Sequence, residues 1–273
     1  MKIKQLYAGF DTIEVAFLGA LQEDALEVFR EAKQEAVKQQ ERQLVTIGPG
    51  NVKGHIASHG LTGGYAFLFD TGLTGDIWSF KDTADPSKWN IAVKPHASAL
   101  ACHSYEETKE RILNTLKDMG CRYGIESIRR VDFAMDFLMP EAFKLNHMQF
   151  VSHHRCKVTP YFGGKGETKE KDTNKVALVF RGRCTESVTI GSPSGRQVIV
   201  YDKRKAAIAK QAYFWFKVWG INRKDTTKNI WRVEFRAGKK ELKDKFNIRT
   251  FIDLENSIGD VFNDTVEKIR YLD

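Results

Sequence analysis

The sequence predicts an α+β protein in which antiparallel sheets carry helices on one face, arranged as two ferredoxin-like (RRM-like) halves. One observation is the order of segments: strand, long helix, several short strands, helix and strand follow one another, and a similar order then recurs. The other is periodicity, since short segments alternate apolar and polar residues while longer ones space apolar residues as a helix does. The halves share no clear sequence repeat, so the duplication is inferred from the pattern alone.

In the first half, residues 5–18 alternate as a strand, and residues 21–43 have the apolar spacing of an amphipathic helix. Ser104 and Glu107 form a capping box, which predicts a helix that ends at Gly120. Between these helices the sequence predicts short strands over residues 63–70, 76–81 and 90–101.

In the second half, strands are predicted over residues 129–137, 175–181, 186–190, 196–203 and 231–236. Helices are predicted from Pro140 to about Phe150, over 204–219 and over 239–272. The glycine-rich, charged segment 163–172 is expected to be a mobile surface loop. These elements divide the chain into an N-terminal half (1–125), a second half that carries the motif strands (126–240) and a C-terminal helical segment (241–273).

Composition and charge narrow the class of protein. No run approaches the roughly 20 apolar residues of a membrane span, and the first residues lack a signal-peptide core. The four cysteines are scattered, which favours reduced thiols in a cytoplasmic protein. The formal net charge is +8, and basic residues are concentrated between residues 196 and 249. Excess positive charge favours polyanionic partners, among which nucleic acid is the commonest.

Three predicted strands each place charged or polar side chains on one face. Alternate residues of a strand point to opposite faces, so the apolar faces are expected to lie under helices. The polar faces are then expected to form one open surface that could hold a metal ion and attack a phosphate. The residues of this surface are Arg130, Asp132, Asp136, Tyr201, Lys203, Arg232, Glu234 and Arg236.

The segment from Thr189 to Lys203, with its Gly-Ser turn and its strand ending Tyr-Asp-Lys, resembles the signature of the Rep_trans replication initiation factors. These are initiators of rolling-circle plasmids, with relatives in filamentous phages and among conjugative-element relaxases. Two further matches occur in the expected order, Arg130–Asp136 to an Arg-x-Asp-x-x-x-Asp strand and Arg232–Arg236 to an Arg-x-Glu-x-Arg strand. Gly9–Ile13 is similar to the first strand of the family. The resemblance extends over residues 125–240.

The resemblance implies a sequence-specific DNA nicking and joining enzyme that initiates rolling-circle replication. In this chemistry a tyrosine attacks a phosphodiester, stays on the 5′-phosphate and leaves a free 3′-hydroxyl. Tyr201 matches the nucleophile, and Lys203, two residues on, is expected to lower its pKa or to neutralise charge on the phosphate. Tyr161 is the alternative nucleophile, whereas Tyr213 lies in an apolar run that suggests core packing.

The implied cofactor is Mg²⁺ or Mn²⁺, which would polarise a phosphate oxygen and which prefers carboxylate ligands. The candidate ligands are Asp132, Glu234 and Asp136. Asp132 and Asp136 are about 13 Å apart along a strand, so the favoured pair is Asp132 with Glu234. The alternative is that these acids only pair with arginines.

The implied partner is DNA at a replication origin and a single-stranded nick site. Expected contacts to DNA come from Arg130, Ser192, Ser194, Arg196, Arg204, Lys205, Arg223, Lys224, Arg232 and Arg236. For the two serines, simple turn formation is an equal alternative. The absence of a P-loop motif makes any helicase a separate host partner.

Three other interpretations stay open on sequence alone. A conjugative-element relaxase shares the chemistry. A non-enzymatic protein that binds single-stranded DNA would need aromatic side chains on the open sheet faces. A relative that binds an origin without nicking would account for Pro193, which follows the Gly-Ser turn where the family carries Arg or Asn. Oligomeric state is not fixed by any of these patterns.

Overall fold

The computed structural model describes residues 3–152, 157–162, 175–181, 184–192 and 195–272. The chain forms two compact units. The first unit consists of Thr12–Arg129 with Arg249–Phe251. The second unit consists of Met1–Asp11, Arg130–Ile248 and Ile252–Asp273. Antiparallel strands predominate and helices pack on them, which confirms the α+β fold class.

The first unit has seven strands in the order β2-β3-β4-β5-β6-β1-β7, and neighbouring strands from β2 to β1 are antiparallel. Two of its long strands continue into the second unit. The strands are β1 (Lys4–Ala20), β2 (Gln43–Ile47), β3 (Val52–Ile56), β4 (Phe67–Asp70), β5 (Asp76–Phe80), β6 (Ile91–Pro95) and β7 (Arg122–Met139). The helices are α1 (Glu23–Gln39), α2 (Ala97–Cys102) and α3 (Tyr105–Asp118).

Helix α1 covers one face of this sheet with aromatic contacts. Its buried Phe29 lies 5.2 to 5.7 Å, centroid to centroid, from Phe67, Phe69 and Phe80. These rings come from alternate residues of β4 and from the end of β5, as a half-buried strand requires. The predicted capping box of α3 is confirmed, because Ser104 Oγ accepts from Glu107 N–H and Glu107 Oε2 accepts from Ser104 N–H.

The second unit orders its strands β7-β13-β12-β11-β10-β9, with parallel pairing between β9 and β10 and antiparallel pairing elsewhere. A separate pair joins β14 to β8. The strands are β8 (Phe150–Ser152), β9 (Lys157–Phe162), β10 (Lys175–Arg181), β11 (Cys184–Gly191), β12 (Arg196–Asp202), β13 (Asn229–Gly238) and β14 (Ile269–Tyr271). The helices are α4 (Lys203–Ala209), α5 (Phe214–Val218), α6 (Lys239–Phe246) and α7 (Phe251–Lys268).

The apolar face of β7 and β13 lies under α7, as the alternation predicts. Phe262 of α7 contacts Phe133 and Phe235 at 4.8 and 4.6 Å between ring centroids. These two rings are directly opposite each other in the ladder. The side chains on the other face of β7 and β13 are those of the predicted site.

Several predicted elements differ from the observed ones. The strands β2 and β3 were not predicted, and α1 ends earlier than expected because Gln40 adopts the left-handed conformation (φ 57°). The predicted helix 204–219 is two helices, α4 and α5, with Gln211 at φ 54° between them. The helix predicted after Pro140 is only a 3-10 turn at His147–Gln149. Residues 163–172 lie outside the described residues, in which no helix is long and apolar enough to cross a membrane.

Candidate active site

Strand register places the three predicted polar faces side by side in the second unit. Tyr201 is opposite Arg232, which is opposite Asp136. Two residues along, Glu234 lies between Ile199 and Ala134, and one further step brings Gln197, Arg236 and Asp132 into line. Directly opposed residues share a face. The sheet therefore brings together the residues that the sequence predicts as nucleophile, cation and acids.

This face is buried rather than open, which corrects the predicted exposure. Asp132, Asp136 and Arg232 are each at most 1% exposed. Lys203 and Glu234 are buried as well, and Tyr201 is partly buried. A buried charge is tolerated only when opposite charges and hydrogen bonds satisfy it. The charged side chains must therefore be assigned partners before any chemistry is considered.

Arg232 lies at the centre of a buried ion-pair network. Its Nε and Nη2 donate to the two carboxylate oxygens of Asp136 at 2.6 and 2.8 Å, a bidentate geometry. Its Nη1 donates to Asp11 of β1. These contacts raise the pKa of Arg232 despite its burial, so the guanidinium stays charged. Arg232 thus supplies a fixed positive charge on the site face.

Two tryptophans of the α5 segment lie over this network. Trp215 has Arg232 and Lys203 at 4.1 and 4.4 Å from its ring centroid, within the range of cation–π attraction. Trp219 donates its Nε1–H to Asp136 Oδ2 at 2.8 Å. Both rings are buried. The aromatic cover therefore contacts both cations and an acid of the site.

Asp132 is shared between two arginines. Arg130 donates to it from Nε at 2.8 Å and also from Nη2, and Arg236 Nε lies 3.2 Å from both of its oxygens. Arg236 also contacts Glu234 Oε1 at 3.4 Å and Gln197 Oε1 at 3.0 Å. Both arginines are thus neutralised inside the site.

Tyr201 lies within hydrogen-bonding reach of an acid and an amine. Its hydroxyl donates to Glu234 Oε2 at 3.3 Å, and Lys203 Nζ lies 3.5 Å from the hydroxyl oxygen. Both contacts are long, which is common for catalytic groups without substrate. Glu234 therefore has the geometry of a proton acceptor for Tyr201, and Lys203 that of a nearby cation.

The pKa values of these three groups are shifted chiefly by burial. Burial raises the pKa of the Tyr201 hydroxyl, and the nearby Glu234 carboxylate raises it further. Burial and the charge of Arg232 lower the pKa of Lys203 to about 8. Burial also raises the pKa of Glu234, with Asp11 and Asp132 adding to the effect. A carboxylate of raised pKa is a stronger base, which favours proton transfer from Tyr201 to Glu234.

The predicted metal ligands have other partners in this arrangement. Asp136 and Asp132 have their oxygens occupied by arginine and tryptophan donors. The hydrogen bonds of Glu234 are long, at 3.3 Å to the Tyr201 hydroxyl and 3.4 Å to Arg236 Nη2. Across the described ranges, no three Asp, Glu, His or Cys side chains converge as a metal-binding group.

The predicted DNA contacts fall into separate groups. Arg204 donates to the backbone carbonyls of Arg223 and Asp225, so it joins the basic loop that also carries Lys224. Arg223 lies over the exposed Tyr213 ring at 4.4 Å. Lys205 pairs with Glu186 and Asp202. These residues lie near the end of β12, beyond Tyr201.

Arg196 does not join the site face. The side chain of Arg196 lies on the α7 face, where it pairs with Glu241 and Asp264 and contacts the Phe246 ring. Ser192 N–H donates to Arg196 O in the turn before β12. Ser194, like its neighbour Pro193, lies outside the described residues. The side chain of Tyr161, the alternative nucleophile, lies outside them too.

The positive charge of the chain is carried by the unit that holds this site. Residues 12–129 contain 13 Lys and Arg against 16 Asp and Glu. The rest of the chain contains 30 Lys and Arg against 19 Asp and Glu. Attraction of a polyanion is therefore expected at the second unit.

Three site residues were not predicted as such. Asp11 lies within the Gly9–Ile13 segment and was not a predicted site residue, yet its carboxylate pairs with Arg232. Trp215 belongs to the apolar run that holds Tyr213 and was given no role of its own, and Trp219 was not singled out. Their four-residue spacing, close behind the Tyr-Asp-Lys strand, is the signal that could have placed both rings over it.

Comparison with known proteins gives structural similarity at low sequence identity. No protein-family model and no curated protein sequence matches this chain. Among solved structures, it is similar to the rolling circle replication initiator protein from Geobacillus stearothermophilus, with a TM-score of 0.43 and 15% identity. The match covers 99% of this chain and 87% of the other. A likeness at this level assigns neither family nor activity.

Proposed function

We propose that this protein is a DNA nicking and joining enzyme that initiates rolling-circle replication, with Tyr201 as its nucleophile. The observation that carries the proposal is the placement of the Tyr201 hydroxyl between Glu234 and Lys203, on a face that also holds Arg232. The resemblance to Rep_trans initiators, made on the same strands, gives the reaction class. The excess positive charge of the second unit suits a DNA substrate.

The first chemical step is attack by the Tyr201 oxygen on a phosphorus atom of DNA. The hydroxyl proton passes to the Glu234 carboxylate, which its long contact already approaches at 3.3 Å. The new O–P bond forms as the bond from phosphorus to the 3′-oxygen breaks. The departing oxygen takes up a proton from water and becomes a free 3′-hydroxyl, while Tyr201 holds the 5′-phosphate as a phosphodiester. Reversal of the step joins the strand again.

Positive charge is needed where negative charge develops on the phosphate oxygens. Lys203 meets this need when its amine is protonated, and its lowered pKa of about 8 leaves it mostly protonated at pH 7. Arg232 adds a permanent charge one strand away. The same two cations favour the phenolate form of Tyr201, which opposes the effect of burial on its pKa.

A divalent ion stays part of the proposal as a requirement to be tested. The resemblance implies Mg²⁺ or Mn²⁺ held by Asp132, Glu234 and Asp136. When bound, such an ion supplies polarisation of a phosphate oxygen. The arginines now on Asp132 would have to release it first. The steps above use only side chains of this chain.

The direct test uses supercoiled DNA of the element that encodes the gene, incubated with the protein and with Mg²⁺, Mn²⁺ or EDTA. We expect relaxation and a covalent protein–DNA adduct on a denaturing gel. Tyr201→Phe should form no adduct, and peptide mapping should find the nucleotide on Tyr201. Tyr213→Phe is the matched control, because that ring is exposed and stacks only under Arg223 among the described residues.

A second candidate is an origin-binding protein without nicking activity, favoured by the burial and complete pairing of Asp132, Asp136 and Arg232. Specific binding without relaxation under any metal condition would support this candidate. Relaxation by the Tyr201→Phe variant would instead direct attention to Tyr161. A conjugative relaxase shares the proposed chemistry and differs in the DNA that it recognises.

A further inference from the structure

We propose that a cleft at the end of β12 is a subsite for one nucleotide of a single-stranded DNA substrate. The cleft has a volume of about 290 Å³ and lies within the second unit. It is lined by Asp202, the residue that follows Tyr201 and lies directly opposite Trp231 of β13. This inference rests on the proposed function for its choice of DNA as ligand.

One wall of the cleft is aromatic. Phe143 and Trp231 both line it, with their rings edge to face and 5.3 Å apart between centroids. The indole Nε1–H is held by Asn229 Oδ1 at 2.8 Å, which fixes the ring orientation. Aromatic faces and edges bind nucleobases without a requirement for one sequence. The rigid aromatic wall therefore suits a base.

The rim of the cleft carries two cations without acidic partners. Lys144 and Arg204 line the cleft, and neither makes an ion pair within the described part of the chain. Arg204 donates to two backbone carbonyls of the basic loop, and its Nε has no hydrogen-bond partner in the described residues, although Glu141, Glu186 and Asp202 also line the cleft. A guanidinium and an amine beside an aromatic wall match the phosphate and base of a nucleotide.

Position along the chain links the cleft to the chemistry. Asp202 and Tyr201 are successive residues, about 3.4 Å apart along the strand, and their side chains leave the sheet on opposite faces. A flexible single strand that crosses the end of β12 could present a phosphate to Tyr201 and a neighbouring nucleotide to the cleft. A base of a duplex must be unpaired and unstacked before it can enter a cleft, whereas a single strand avoids most of this cost. The occupant is therefore a nucleotide next to the nick.

The test is photocrosslinking of a mixed-sequence 20-nucleotide single strand whose thymines are replaced by 5-iodouracil. The protein is the full-length Tyr201→Phe variant, so binding is scored without chemistry. We expect crosslinked peptides that contain Phe143 or Trp231. Crosslinks confined to other peptides would overturn the inference and leave the proposed nickase intact. Absence of binding by fluorescence anisotropy would overturn both.

A charge test complements the crosslink. Lys144→Ala, an exposed substitution that should not disturb folding, should weaken binding about fivefold and lower the slope of log Kd against log salt by about 0.7, the value for one phosphate contact. Arg204→Gln should act in the same direction. Lys240→Ala, at an exposed position of α6 outside the cleft, is the matched control and should change neither quantity. Equal effects of Lys144→Ala and Lys240→Ala would show that Lys144 contributes only general positive charge, and this result would overturn the subsite.

Discussion

Neutralising Asp136 tests whether the site face holds a desolvated ion pair. Asp136→Asn keeps the shape of the side chain and removes its charge, so Arg232 retains only Asp11 as an acidic partner in the described residues. Both members of the lost pair are fully buried. Removal of one partner from such a pair costs about 3–5 kcal/mol. Because Asp11 remains and Asn can still accept one hydrogen bond, we expect about 3 kcal/mol.

Urea unfolding followed by tryptophan fluorescence is the assay. Trp215 and Trp219 contact the pair directly, so their emission reports on the unit in question. With a slope of about 2 kcal/mol per molar urea, the midpoint should fall by about 1.5 M. Glu35→Gln, which removes a surface ion pair of α1, is the control and should leave the midpoint in place.

A double variant separates charge from packing. In Asp136→Leu with Arg232→Met, the two fully buried charges are removed together, and substitution of such a pair by apolar residues is often neutral or stabilising. Asp11 loses its partner Arg232, but its side chain is 17% exposed, so water can solvate it. We expect recovery of most of the stability lost in Asp136→Asn. A loss below about 1 kcal/mol in the single variant would refute the reasoning, because it would mean that water already solvates Arg232.

Three further predictions follow. The unmodified protein should become more stable between pH 8 and 10, because Lys203 binds a proton in this range when unfolded but not when folded, where its pKa is about 8. Lys203→Met should abolish this rise, and urea midpoints across the range measure it. Trp215→Leu should cost about 3 kcal/mol in the same assay and Trp215→Phe clearly less, because only the aromatic ring serves both cations; equal losses would contradict the cation–π account. Arg196→Gln should lower the free energy of unfolding by about 2 kcal/mol, because the Arg196 side chain pairs with Glu241 and Asp264 on the α7 face. Its affinity for single-stranded DNA should stay within twofold, as measured by anisotropy at a temperature where both proteins are folded. A large loss of affinity would support the predicted DNA contact of Arg196.

The local sequence pattern was sufficient to predict the motif strands and α3. The alternation of β7 and β13 predicted which residues of each strand share a face, whereas only the register shows that Asp136 and Arg232 are directly opposite each other. The capping box at Ser104 was predicted because its partners lie three residues apart in the chain. Such features are decided by contacts within a few residues, which a sequence displays directly.

Burial of the site face could not be predicted in the same way. It depends on Trp215 reaching Arg232, and these residues belong to elements whose approach is set by tertiary packing. The break between α4 and α5 was missed because Gln211 has no sequence signature for the left-handed conformation that it adopts. Arg196 and Arg204 are both basic and close in the chain, yet Arg196 begins β12 whereas Arg204 belongs to α4, and they have different partners.

The ion-pair network around Arg232 also limits how this protein can change over generations. Arg232, Asp136 and Asp11 form a set in which each charge is tolerated because the others are present. Loss of one member leaves an unbalanced buried charge, so single steps away from the set pass through a destabilised chain. Changes at these three positions should therefore appear together in related sequences, as paired exchanges of a charge for its partner. A selection for stability that varies one residue at a time would miss the apolar solutions that a paired library could reach.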